Sequence, residues 1–211
     1  MTHSLHRRGS PEELRNDYII LVTSAANVNT EGAIPKIAKV LDVLWEIGPS
    51  NIGSNETGTI LSGVTKEIIR DGLTKIPRIR ANFNSKEKVW KAIEALQELD
   101  LGLSVVLSGP VDDIEEECAR LGLKPHSINY SLDVWGKKEK LPPENVLQFT
   151  TMCGHGLISP SLVEHVLERI EKGRMTPEQG VVKLGSPCVC GFFNPERALA
   201  LLQKIAPAKG A

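Results

Sequence analysis

The sequence predicts an α/β (α+β) protein: a small ferredoxin-like or doubly wound α/β sandwich followed by a helical C-terminal domain that binds a metal or cluster. Three observations predict it. Strand-like apolar runs alternate with amphipathic helical stretches between residues 78 and 130. From residue 159 onward the pattern is helical throughout, with a cap written at each start. Three of the four cysteines fall in that last third, at element ends rather than on apolar faces.

The elements follow in order. Ser10-Pro11-Glu12-Glu13 reads as a helix start, with Ser10 as cap, proline in the first turn and Glu13 closing a capping box. Residues 18–23 (YIILVT) form a buried strand candidate. After a polar turn at 27–32, Ile37, Val40, Leu41 and Leu44 recur at helical spacing over 33–47, and Gly48-Pro49 stops that helix. Residues 51–63 read as a loop or weak strand, and 64–72 as a short helix. A strand at 79–83, a helix at 85–99, a strand at 103–108, a helix at 111–121 and a strand at 126–130 complete the alternation. Residues 137–145 form a charged, Pro-bearing connector. The expected division is therefore an α/β domain over 1–136 and a helical domain over 146–211. A short strand at 146–150 precedes three helices, which start at Ser159-Pro160, at the capping box Thr176-Pro177-Glu178-Gln179, and at Asn194-Pro195.

Composition narrows the function. A net charge of -1 with no basic stripe argues against nucleic acid as a partner. No apolar run reaches the roughly 20 residues that span a membrane. The start lacks the apolar core of a signal peptide, so a cytoplasmic location is expected, and with it metal or redox cysteines rather than disulfides.

The cysteine pattern carries the chemistry. Cys153-Gly154-His155 precedes one helix and Cys188-Val189-Cys190 follows another. If the two helices pack antiparallel, both ligand pairs meet at one end. Cys153, Cys188, Cys190 and His155 are then a soft-ligand set suited to an iron–sulfur cluster or to zinc. A [4Fe-4S] cluster on three thiolates leaves one iron open, or closed by His155. An open iron can act as a Lewis acid.

Two ligands one residue apart, a helix, a glycine, a Thr-x-Glu/Gln helix start and a second pair resemble the helical [2Fe-2S] domain of the bacterioferritin-associated ferredoxin family. The likeness covers residues 153–190. It departs from the family in placing His155 at the second ligand position and in ending on Cys-x-Cys rather than Cys-x-x-Cys. Residues 152–156 (MCGHG) are also similar to the catalytic cysteine motif of the proline racemase family.

Other residues join the candidate list. Cys118 lies on an apolar helix face with Val111, Ile114 and Leu121 and reads as a core thiol. His165 reads as a surface residue. His126, at a strand start, is a candidate catalytic group alongside His155. Arg78 and Arg80 point to one side of their strand and suit a carboxylate or phosphate. His3, His6, Arg7 and Arg8 suggest a cationic arm over an anionic site. Residues 53–58 offer hydroxyl and backbone donors to a ligand.

The expected function is an iron–sulfur enzyme, a lyase or an oxidoreductase, acting on a small anionic molecule beside the cluster. The alternatives are a non-catalytic electron-transfer or cluster-carrier module that docks on a redox partner protein, and a zinc-stabilised binding protein. A homodimer is a further expectation, from the open sheet edges.

Overall fold

A computed structural model describes residues 6–206; His3 lies outside them. The N-terminal arm leads through a single turn, α1 (Pro11–Leu14), capped by Ser10 in the expected box, into β1 (Tyr18–Thr23). Next come α2 (Ala33–Ile47), β2 (Asn51–Ser54), β3 (Gly58–Thr59), α3 (Lys66–Asp71) and β4 (Arg78–Phe83). Then follow α4 (Lys86–Leu99), β5 (Ser104–Ser108) and α5 (Val111–Arg120). The last four helices are α6 (Glu144–Thr150), α7 (Pro160–Glu171), α8 (Pro177–Gly185) and α9 (Pro195–Gln203).

The sheet runs β3-β2-β4-β1-β5, antiparallel at every junction. β4 inserts between β1 and β2, and β1 between β4 and β5, so β1-α2-β2 and β4-α4-β5 interlock. That interleaving is the split βαβ order of a ferredoxin-like sandwich. The doubly wound alternative requires neighbouring parallel strands and is not what forms.

β1 explains why its sequence is apolar without alternation. Tyr18, Ile20 and Val22 face α2 and α4, joining Ile37, Leu41, Val89 and Ile93 in one core. Ile19 and Leu21 face the other way, into a second core built with Val146, Phe149, Val163, Val166, Leu184 and Leu202. With both faces covered, the period-two signal of a half-exposed strand disappears. The C-terminal helices thus form a third layer over the sheet. Ser159, Thr176 and Asn194 each cap the helix expected of them, accepting a backbone N–H three residues on.

Two expected strands do not form. Residues 126–130 are irregular and exposed. Their alternation of Ile128, Tyr130 and Leu132 suits a strand, but a strand persists only when paired. This stretch is held instead by side chains, with Ser131 beside His6 (3.2 Å) and Asp133 bound to Lys138 (2.8 Å). Residues 146–150 lie in α6 rather than in a strand. Val146 and Phe149, three apart, are both buried, and the Thr151 hydroxyl donates back to the Leu147 carbonyl. The intervening 137–145 stretch is largely exposed, with one 3-10 turn at Lys138–Lys140. Among the described residues, no helix is long and apolar enough to cross a membrane.

Candidate metal centre

The second face of the sheet is apolar along β1 and polar along β4 and β2. Arg78, Arg80 and Asn82 alternate with Ile79, Ala81 and Phe83, which belong to the first core. Across from them, Asn51 of β2 pairs in register with Asn82 and Gly53 with Arg80. The cysteine loops settle beside this polar strip.

Cys153 sits just beyond α6, and Cys188 and Cys190 just beyond α8; all three are buried. Cys188 Sγ lies 3.9 Å from Cys190 Sγ, and Cys153 is close enough to interact with Cys188. Backbone donors surround the sulfurs. N–H groups of His155 and Leu157 serve Cys153, those of Cys190 and Phe193 serve Cys188, and that of Phe192 serves Cys190. The Cys188 pKa is pushed down, first by the hydrogen bonds from its two cysteine neighbours. Those neighbours are pushed up, because each keeps its proton to interact with Cys188 and is desolvated by burial.

Gly191 lets the loop reach the sheet. Its φ is +93°, and a Cβ there would stand 2.9 Å from both the Arg80 carbonyl oxygen and the Gly53 nitrogen. Only glycine fits that conformation at that distance. Its neighbour Phe192 stacks under the Arg80 guanidinium, 5.8 Å from ring centroid to Cζ.

Arg7 and Arg80 lie near the trio, and Arg197 joins Arg7 at Asp17. Arg80 is 4% exposed, donates to Asn55 Oδ1 at 3.1 Å, and leaves Nε without a hydrogen-bond partner. Its pKa is lowered, first by desolvation, while the charge of Cys190 acts to raise it. Arg7 and Arg197 share the fully buried carboxylate of Asp17 at 3.1 and 2.8 Å. Asp17 also accepts from Asn82 (2.7 Å) and Asn194 (3.2 Å). Asp17 thus faces two of these guanidiniums, while Glu56 acts on Arg80 and Glu13 on Arg197.

The structure thus gathers Cys153, Cys188, Cys190 and Arg80 in one place. Arg78 lies on the same strand face, is partly exposed, and carries a buried Nε without a hydrogen-bond partner. His155 is exposed and reaches the trio through its backbone N–H. His126 is exposed on the 124–135 stretch with its Nδ1 3.3 Å from Ser127 Oγ. Cys118 packs, half-buried, against the first core, across the sheet from the trio, and His165 is exposed on α7. Gly191 was legible in the sequence as part of a tight ligand loop, whereas Asp17 and Arg197 were not. A lone Asp before a strand and an Arg in a helix are ordinary.

The Cys188–Cys190 spacing alone can be compared with that of two thiolates on one ion. Two thiolates about 2.3 Å from one tetrahedral ion stand about 3.8 Å apart, close to the 3.9 Å observed. Among the described residues, no three His, Cys, Asp or Glu side chains are set as a ready-made metal-ion cage. No family model, curated protein or solved structure matches the chain.

Proposed function

We propose that the chain is an iron–sulfur protein whose cofactor is held by Cys153, Cys188 and Cys190, with His155 the candidate for a remaining ligand position. The observation that carries this reading is the nearness of three buried thiols, each approached by backbone N–H groups, with the Arg7 and Arg80 guanidiniums close to Cys188 and Cys190. Hydrogen bonds to sulfur and nearby cations favour the thiolate form that such cofactors require. The local likeness of residues 153–190 to the bacterioferritin-associated ferredoxin family points the same way.

Within this reading the protein is an enzyme for a small anionic molecule. Arg78 and Arg80 hold the carboxylate or phosphate, each with a buried Nε free of hydrogen-bond partners. The cofactor, when bound, supplies Lewis-acid or one-electron chemistry at the sulfur end of the site. The backbone donors hold the sulfurs, and the surrounding core around Phe149, Phe192 and Phe193 keeps water away from them.

The 3.9 Å separation of Cys188 and Cys190 favours a second reading, a single zinc ion in a structural role. Anaerobic purification followed by metal analysis, visible absorption and spin-resonance spectroscopy separates the two. Iron with acid-labile sulfide and a brown colour supports the first reading. Stoichiometric zinc in a colourless protein supports the second, and a preparation free of both metals removes the metalloprotein reading altogether.

A further inference from the structure

We infer that the N-terminal arm belongs to the centre, and that Arg7 is a positioning residue tying the Cys153 loop to the Cys188–Cys190 loop over the three sulfurs. The inference rests on the proposed metal site for its purpose, though not for its geometry. The Arg7 guanidinium donates through Nη1 to the Thr151 carbonyl at 3.3 Å and through Nη2 to the Phe192 carbonyl. Thr151 stands two residues before Cys153 and Phe192 two residues after Cys190, so one planar group bridges both loops. Its Nε lies 3.1 Å from Asp17, just before β1, in an ion pair without hydrogen-bond geometry. The Arg7 side chain is 7% exposed, although its arm is terminal.

The neighbouring residue docks the same segment through its main chain. The Arg8 N–H donates to Thr151 Oγ1 at 3.0 Å, and the Arg8 carbonyl accepts from Arg197 Nη2. A fork that serves two carbonyls and a carboxylate at once uses the planar geometry of arginine, which the point charge of a lysine cannot reproduce. The Arg7 guanidinium also lies close enough to Cys188 and Cys190 to feel their charge. The arm therefore closes the site toward a cofactor whose thiolate complex is anionic, and resists the separation of the loops that release or attack would need.

The test measures thiol access in the full-length, metal-free protein, by iodoacetamide labelling followed by mass spectrometry of each cysteine. In Arg7→Gln, labelling of Cys153, Cys188 and Cys190 is expected to quicken by about tenfold or more, the factor a lost hydrogen bond to a charged group is worth. Cys118, across the sheet, serves as the internal control and keeps its wild-type rate. Arg7→Lys retains the charge against Asp17 and is expected to quicken labelling as well, by a smaller factor; it serves in place of Arg7→Gln should that variant not fold. Loaded protein is then mixed with a chelator, and both variants should lose metal faster than wild type. Labelling rates within twofold of wild type in folded Arg7→Lys overturn the inference. A wild-type protein that holds no metal, yet shows the labelling difference, overturns the metal reading and leaves the loop-joining role of Arg7 standing.

Discussion

Replacing Gly191 with alanine isolates how the last cysteine loop is seated on the sheet. At φ +93° an L-residue is strained, which costs about 1–3 kcal/mol on its own. The new methyl would also stand 2.9 Å from the Arg80 carbonyl oxygen and the Gly53 nitrogen, and 3.2 Å from the Ile52 carbonyl carbon. These are backbone atoms of two paired strands, so the loop must lift rather than the neighbours yield. Lifting Cys190 and Phe192 partly undoes the burial of a phenylalanine, worth about 1.5–3 kcal/mol. The combined loss is about 3–5 kcal/mol. Gly173 provides the comparison, since its φ is +64° and nothing lies within 4 Å of a Cβ there. Gly173→Ala should cost only about 1–2 kcal/mol, the conformational part alone. Urea unfolding followed by circular dichroism reads the difference. With a slope of about 1–3 kcal/mol per molar urea, the Gly191→Ala midpoint should fall about 1 M below that of Gly173→Ala. Equal midpoints for the two variants would refute the claim that the loop is pressed against β2 and β4.

Three further outcomes are expected. Substituting Cys153, Cys188 or Cys190 singly by alanine should abolish or sharply reduce bound metal, measured by elemental analysis after anaerobic reconstitution, whereas Cys118→Ala should leave it unchanged. Asp17→Asn should cost about 3–5 kcal/mol in urea melts, because it strands the buried guanidiniums of Arg7 and Arg197 without their carboxylate. Tyr18→Phe should cost about 1–2 kcal/mol near neutral pH, since the buried Tyr18 hydroxyl donates to Asp113 at 2.8 Å. Burial first, and then that hydrogen bond, raise the Tyr18 pKa above its ordinary value. Its contribution is therefore complete below the unfolded pKa of about 10 and is lost as pH climbs past it. The gap between wild type and Tyr18→Phe should narrow in melts above about pH 10 and stay constant from pH 6 to 9.

What the sequence made legible were features written in consecutive residues. Ser10, Ser159, Thr176 and Asn194 announced their helices because a cap and its partner lie three positions apart. The β1 and β4 runs were equally plain. The two missed elements failed for different reasons. The 146–150 segment is short enough that Val146 and Phe149 fit either period until the core that receives them is known. The 126–130 stretch has strand composition, but pairing partners are a property of the fold and not of the segment. At the site, cysteine spacing pointed to the trio because ligand pairs are local. The partnership of Asp17 with Arg7, Asn194 and Arg197 joins both termini, and nothing in a single residue marks its partner across such a distance. Arg80 was legible as a candidate only because β4 alternates, which set it opposite Ile79 and Ala81 and toward the helices.

The Asp17 network has a consequence for how the molecule comes into being. Arg197 reaches Asp17 across 180 positions of chain, so the carboxylate just before β1 waits for a partner made well after all five strands. While the polypeptide is still emerging from the ribosome, the sheet can gather, but its polar strip and the sulfur pocket above it stay unfinished. A chain cut short before α9 should therefore leave the Asp17 carboxylate without one of its two guanidiniums, and should unfold at lower urea than the chain that carries Arg197.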